Sequence, residues 1–147
     1  MVRVLATGTF DLLHPGHLLY LSEARALGDE LYVIVARDSM IKHKQKPVVP
    51  EEQRLEMVRA LSVVDKAMLG SKIDIFEPLC EIRPDIIALG ANQFFKENDL
   101  EEQLRVHGID AKVVRIKSFR QSYLCSSAAI MRKVIERCGK DQKGERA

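Results

Sequence analysis

Five short runs rich in β-branched and apolar residues punctuate the chain: VRVLAT at 2–7, LYVIVA at 31–36, KAML at 66–69, DIIAL at 85–89 and KVVRI at 112–116. Their apolar positions are nearly continuous rather than alternating with polar ones, which suits strands buried on both faces of a parallel sheet. Between the runs, apolar positions recur at helical spacing. A helix is predicted over 15–27, with Pro15 in its opening turn, Gly28 as its stop, and Tyr20, Leu21, Ala24 and Leu27 facing inward. A second begins at Pro50 and ends near Ser62; Glu51 and Glu52 complement its dipole, and Leu55, Val58 and Leu61 form its inner stripe. Further helices are predicted over 76–82, where Pro78 falls in the first turn, over 97–107 and over 126–138. Strand and helix thus alternate through five strands, which implies a doubly wound α/β sheet with right-handed crossovers. The polar stretch GKDQKGERA at 139–147 reads as a fraying tail behind one domain spanning 1–138.

Composition narrows the possibilities. With 147 residues, 46% of them hydrophobic, the chain can bury one core but not two. A net charge of +2 with mixed signs gives no global field for nucleic acid or an anionic membrane, so any anion site must be local. The start MVRVLATGTF carries no signal-type apolar region, and no apolar run nears the roughly 20 residues of a membrane helix; a cytoplasmic location is expected. Cys80, Cys125 and Cys138 are too few for a secreted disulfide framework. Cys80 reads as core. Cys125 opens the last helix, where a thiolate is stabilised and inert packing is the alternative; about 13 residues of helix would hold Cys138 roughly 20 Å away.

In a doubly wound sheet, ligands bind beyond the carboxyl ends of the strands. The segments that fall there are GTFDLLHPGH, RDSMIKHKQKP, GANQFFK and KSFRQSYLCSS. Together they gather histidines, Lys, Arg, small residues and two helix N-termini, a set suited to polyphosphate. His14 and His17 stand three apart where a helix opens, so imidazole donors would add to its unpaired backbone N–H groups. Gly16 permits close approach of a phosphate, and Gly8 with Thr9 makes a compact exit from the strand. A structural histidine pair or a metal site are the alternatives, but one metal needs more ligands than this segment offers. Neither GxGxxG nor GxxxxGK[ST] is present.

The stretch GTFDLLHPGH resembles the HxGH signature of the cytidylyltransferase-like nucleotidyltransferase superfamily, and is most similar to the branch holding glycerol-3-phosphate cytidylyltransferases and archaeal FAD synthetases. The resemblance covers 2 to about 132 and implies a Rossmann-like nucleotidyltransferase fold. It also implies attack of a substrate phosphate on the α-phosphorus of a nucleoside triphosphate, helped by a divalent cation such as magnesium. By that likeness His14 and His17 are phosphate donors, and Thr9, Phe10 and Gly16 contact the nucleotide. Asp11 would sit near substrate or metal, with capping of a turn as the alternative. Lys44 and Lys46 in KHKQK would meet phosphates. Arg54 would point back at the site or, alternatively, pair with Glu51 on the helix surface.

FRQSYLCSSAAI is similar to the family's RTEGISTTxI, which makes Arg120 a phosphate clamp and Ser126 and Ser127 cap-and-triphosphate residues, with the serine register open by one position. GANQ occupies the GxDQ or GDDW position that reads the base, through Asn92 and Gln93. Asn92 in place of Asp removes a charge and adds a donor. Phe94 and Phe95 could stack on a base or flavin, or join the core. Gln93, the PEEQR stretch and the length favour FMN adenylyltransfer, with ATP and FMN as substrates. Glycerol-3-phosphate cytidylyltransfer from CTP and a non-catalytic nucleotide or flavin sensor are the alternatives. The resemblance further implies a homodimer.

Overall fold

A computed structural model describes residues 1–42, 46–91, 93, 95–117 and 124–145. The strands are β1 (Arg3–Gly8), β2 (Glu30–Val35), β3 (Lys66–Leu69), β4 (Ile86–Leu89) and β5 (Lys112–Arg115); the helices are α1 (Pro15–Ala26), α2 (Glu51–Arg59), α3 (Glu77–Ile82), α4 (Glu97–Val106) and α5 (Ser127–Glu145). All strand pairs are parallel, in the order β3-β2-β1-β4-β5. From β1 the chain winds outward through β2 and β3, then returns to lay β4 on the other side of β1 and β5 beyond it. The switch point is therefore the crevice between the carboxyl ends of β1 and β4.

The inner strands β1, β2 and β4 bury residues on both faces, as the continuous apolar runs require, while the edge strands β3 and β5 are only partly covered. Val4, Ala6, Val33 and Val35 pack with Leu21 and Ala24 of α1 and Val58 of α2. Leu5, Ile34, Ile87 and Leu89 pack instead with Leu79 and Ile82 of α3 and Leu100 and Leu104 of α4. Every CH₂ so buried contributes about 0.8 kcal/mol, which is what holds α1 and α2 to one face and α3 and α4 to the other.

Three expectations change. Cys80 is exposed rather than core, because α3 spends its inward positions on Leu79 and Ile82. Helix α5 begins at Ser127 and runs on through 139–145, where a fraying tail was expected. Pro50 is the N-cap residue of α2, not its first helical residue. No disulfide joins the three cysteines, and the unbroken α5 keeps Cys125 and Cys138 apart. No helix of the described residues is long and apolar enough to cross a membrane.

Candidate functional site

The chain leaves β1 through a tight turn at Phe10, whose φ of 54° lies in the left-handed region that side chains disfavour. This turn drives the Phe10 ring into the core, 2% exposed. It also requires glycine at position 8, where a Cβ would sit 2.9 Å from that ring. Any contact of Phe10 with a nucleotide therefore comes from its backbone. Asp11 reaches away from the core, and its two carboxylate oxygens accept the N–H groups of Val48 (3.0 Å) and Val49 (2.9 Å). Its cap serves the distant loop behind β2, which carries the lysines, rather than its own turn.

His14 is the N-cap residue of α1, with φ −145° and ψ 169°. Its Nδ1 accepts the backbone N–H of His17 at 3.3 Å, so the neutral ring carries its proton on Nε2. Burial pulls its pKa below the ordinary 6.5, which keeps the ring neutral near pH 7. The His17 ring stacks on it at 3.7 Å between centroids and 25° between planes, and Phe10 backs His17 at 5.2 Å. The pair is thus a small, pre-oriented slab at a helix N-terminus, with the Nε2–H of His14 fixed as a donor.

A second helix start closes on the first. Ser126 Oγ accepts the N–H of Ala129 at 3.0 Å, which caps α5. Ser127 Oγ accepts the N–H of Leu12 (3.2 Å) and donates to the carbonyl of Leu12 (3.1 Å), tying α5 to the β1–α1 turn. The two serines thereby divide: Ser126 caps, and Ser127 fastens. Gly16 lies between the helices, where a Cβ would come within 2.9 Å of the His14 ring and 3.2 Å of the Cys125 carbonyl oxygen. The starts of α1 and α5 thus lie side by side, and helix N-termini favour an anion locally without needing a strong net charge on the chain.

Arg54 is fully buried: the alternative of a surface pair with Glu51 does not hold, and the guanidinium turns back to the β1 turn. Its guanidinium donates to the carbonyls of Thr9 (2.6 Å) and Val49 (2.9 Å) and to Asp38 Oδ1 (2.6 Å). The expected partner Glu51 pairs with Arg37 instead, at 3.0 Å, and accepts the N–H of Asp38. Arg54 therefore locks the β1 turn, the loop behind β2 and α2 into one body. It acts on the site through the Thr9 backbone rather than by pointing a free fork at it.

At the other wall of the crevice, Gln93 donates to the carbonyl (3.2 Å) and Oγ1 (3.3 Å) of Thr7 and accepts the N–H of Gly90 (2.9 Å). Its side chain bridges the ends of β1 and β4. Beneath it the Tyr20 hydroxyl donates to Ala88 O at 2.6 Å, and burial raises its pKa above the ordinary value. Lys46 is exposed on the loop before α2, and Phe95 is exposed at the rim. Lys44, Asn92, Phe94 and Arg120 lie outside the described residues. Asp38 and Arg115 are supports for which no role was expected, and Tyr20, expected only on the inner face of α1, is a third. Asp38 had a signal, since it follows β2 on the ligand-binding rim.

Among the described residues no cluster of three or more His, Cys, Asp or Glu is placed to hold a metal ion. Both carboxylate oxygens of Asp11 are engaged by backbone N–H groups. These residues do not by themselves make a magnesium cage.

Comparison with known proteins agrees with this architecture. The FAD synthase of Methanococcoides burtonii is 62% identical over 143 residues, covering 97% of this chain and all of that protein. The FAD synthase of Methanosarcina barkeri is 63% identical over 139 residues, covering 95% of this chain and all of its own. Among solved structures, a protein of Thermoplasma volcanium described as a lipopolysaccharide core biosynthesis protein superposes with a TM-score of 0.79 at 45% identity, covering 82% of this chain and 99% of that one. A pantoate-beta-alanine ligase of Francisella tularensis shares the fold at 15% identity, with a TM-score of 0.54, 82% of this chain and 60% of that one. The family described as cytidylyltransferase-like matches residues 5–133, most of the chain, and the chain belongs to that family.

Proposed function

We propose that the chain is an FMN adenylyltransferase: the phosphate of FMN attacks the α-phosphorus of ATP, pyrophosphate leaves, and FAD is formed. The observation that carries the reading is the His14–His17 slab at the mouth of α1, with a neutral ring whose Nε2–H is available as a donor. The two near-full-length relatives named FAD synthase supply the substrates. Phosphoryl transfer of this kind needs little covalent chemistry from the protein; it needs in-line positioning and donors aimed at developing charge. His14 and His17 donate to the phosphoryl oxygens, and the N–H groups at the starts of α1 and α5 hold the rest of the triphosphate. Thr9, the Phe10 backbone, Gly16 and Ser126 line the nucleotide, with Ser127 behind them. Lys44, Lys46 and Arg120 neutralise the phosphates, while Asn92 and its loop meet the base.

Asp11 and Arg54 hold the lysine loop and the Thr9 backbone in place. Magnesium enters with the nucleotide, carried by its phosphates, and no step depends on a protein-built metal site. The pairing of subunits implied by the family likeness, a cytoplasmic location, and the lack of nucleic-acid or membrane partners belong to the same reading. Incubating the reduced protein with magnesium, ATP or CTP, and FMN or glycerol 3-phosphate tests it. FAD and pyrophosphate in equal amounts from ATP and FMN are expected; CDP-glycerol instead, or binding without pyrophosphate release, overturns it.

A further inference from the structure

We propose that Arg115, the last residue of β5, is the positioning residue that sets base selectivity, by fixing the backbone of Gly90, Gln93 and Phe95 beside the crevice. The inference rests on the reading of the loop that carries them as the wall that meets the nucleobase. One guanidinium gathers three of the loop's backbone carbonyls. Its Nη1 donates to Gly90 O and Gln93 O, both at 2.9 Å, and its Nη2 donates to Phe95 O. Its Nε donates to Glu97 Oε1 at 2.5 Å, which aims the fork. Glu97 is the first residue of α4, and its carboxyl is held below the ordinary range, chiefly by the hydrogen bond from Arg115.

The opposite side of the loop is tied by Gln93 to Thr7 and Gly90. Gly90, Gln93 and Phe95 are thus held between β1, through a side-chain amide, and β5, through a guanidinium. Backbone groups that read a base discriminate only while held in place, because a wrong base is rejected by leaving fixed donors or acceptors unpaired. A planar fork can hold several carbonyls at once in a fixed geometry, whereas a lysine offers a point charge without that fork. Arg115 lies on the β5 side of the loop and, among the described residues, bonds to none of those assigned to phosphate, so its effect is expected on the base and not on transfer.

The test uses the full chain with Arg115→Lys and, as a milder second variant, Glu97→Gln. Equilibrium titration with ATP and with CTP is run beside steady-state FAD synthesis, with thermal melting to confirm folding. The expected result is a fall of about tenfold or more in the ATP-to-CTP affinity ratio for Arg115→Lys and a smaller fall for Glu97→Gln. KM for ATP rises while kcat and KM for FMN stay within about twofold. An unchanged ratio in folded variants overturns the inference, whatever happens to overall rate; so does a wild-type protein that binds both nucleotides equally. A wild type that binds ATP selectively yet makes no FAD refutes the transfer reading, and the titrations still decide the role of Arg115.

Discussion

Substituting Gly16 with Ala probes whether the two helix starts must touch. Residue 16 lies in the first turn of α1, so on intrinsic propensity alone the change should stabilise the helix by up to about 1 kcal/mol. The added Cβ, however, would sit 2.9 Å from Cε1 and Nδ1 of His14 and 3.2 Å from the Cys125 carbonyl oxygen. One of these neighbours is a ring and the other is backbone, so the methyl cannot be accommodated by the tip of a flexible side chain. Overpacking of this kind costs about 1–3 kcal/mol, which cancels or exceeds the propensity gain. The net change in stability therefore lies between about zero and about 3 kcal/mol of loss.

The effect on chemistry is larger. Relief of the clash tilts His14 off His17 or moves the start of α5 away, and a misplacement near 1 Å at a transfer site costs on the order of 10²-fold in rate. Pyrophosphate release with saturating ATP and FMN, measured beside a melting curve, separates the two effects. We expect kcat down about a hundredfold with a melting temperature no more than about 10 °C below wild type. Full activity in a stable Gly16→Ala protein would refute the claim that the helix starts must meet at this spacing.

Arg54→Met should cost about 3–5 kcal/mol, because it strands Asp38 and the carbonyls of Thr9 and Val49, and should lower the melting temperature on the order of 10 °C; a loss under about 1 kcal/mol in denaturant would contradict its burial. Ser127→Ala removes both bonds to Leu12 and should cost about 1–2 kcal/mol and slow turnover, whereas Ser126→Ala should lose about 1 kcal/mol of helix cap; equal behaviour of the two would undo the division of roles. His14 titrates below 6.5 in the folded protein, so the unfolded chain takes up that proton first as pH falls. The stability it contributes is present above pH 6.5 and lost as pH falls through the depressed value. Wild type should therefore lose more stability between pH 7 and pH 5 than His14→Gln, and parallel curves would show that burial of this ring is not felt.

Strand and helix positions were legible because they rest on local pattern: near-continuous apolar runs for a sheet covered on both faces, and helical spacing between them. The HxGH segment was legible for the same reason, its residues lying within a few positions of one another. What the sequence concealed depends on partners far along the chain. Arg54 reads either as aimed back at the site or as a surface partner of Glu51, yet the fold wraps the β1 turn and the loop at 48–49 around it and buries it completely. Asp11 looked like a site carboxylate or a local turn cap, but its acceptors are used 37 and 38 residues away. Cys80 looked apolar enough for the core, and a helix as short as α3 has only one inward stripe. Arg115 was read as part of a strand, and only the parallel pairing of β5 with β4 brings its fork to the loop at 90–95.

Whether the His14–His17 slab transfers AMP to FMN is tested most directly by following the α-phosphorus. With ATP labelled at that phosphorus, wild-type protein should move the label into FAD while unlabelled pyrophosphate is released in equal amount. His17→Ala, folded by its melting curve, should do so at least about 10²-fold more slowly. Label that stays in ATP, or transfer undiminished in the His17→Ala protein, would contradict the account.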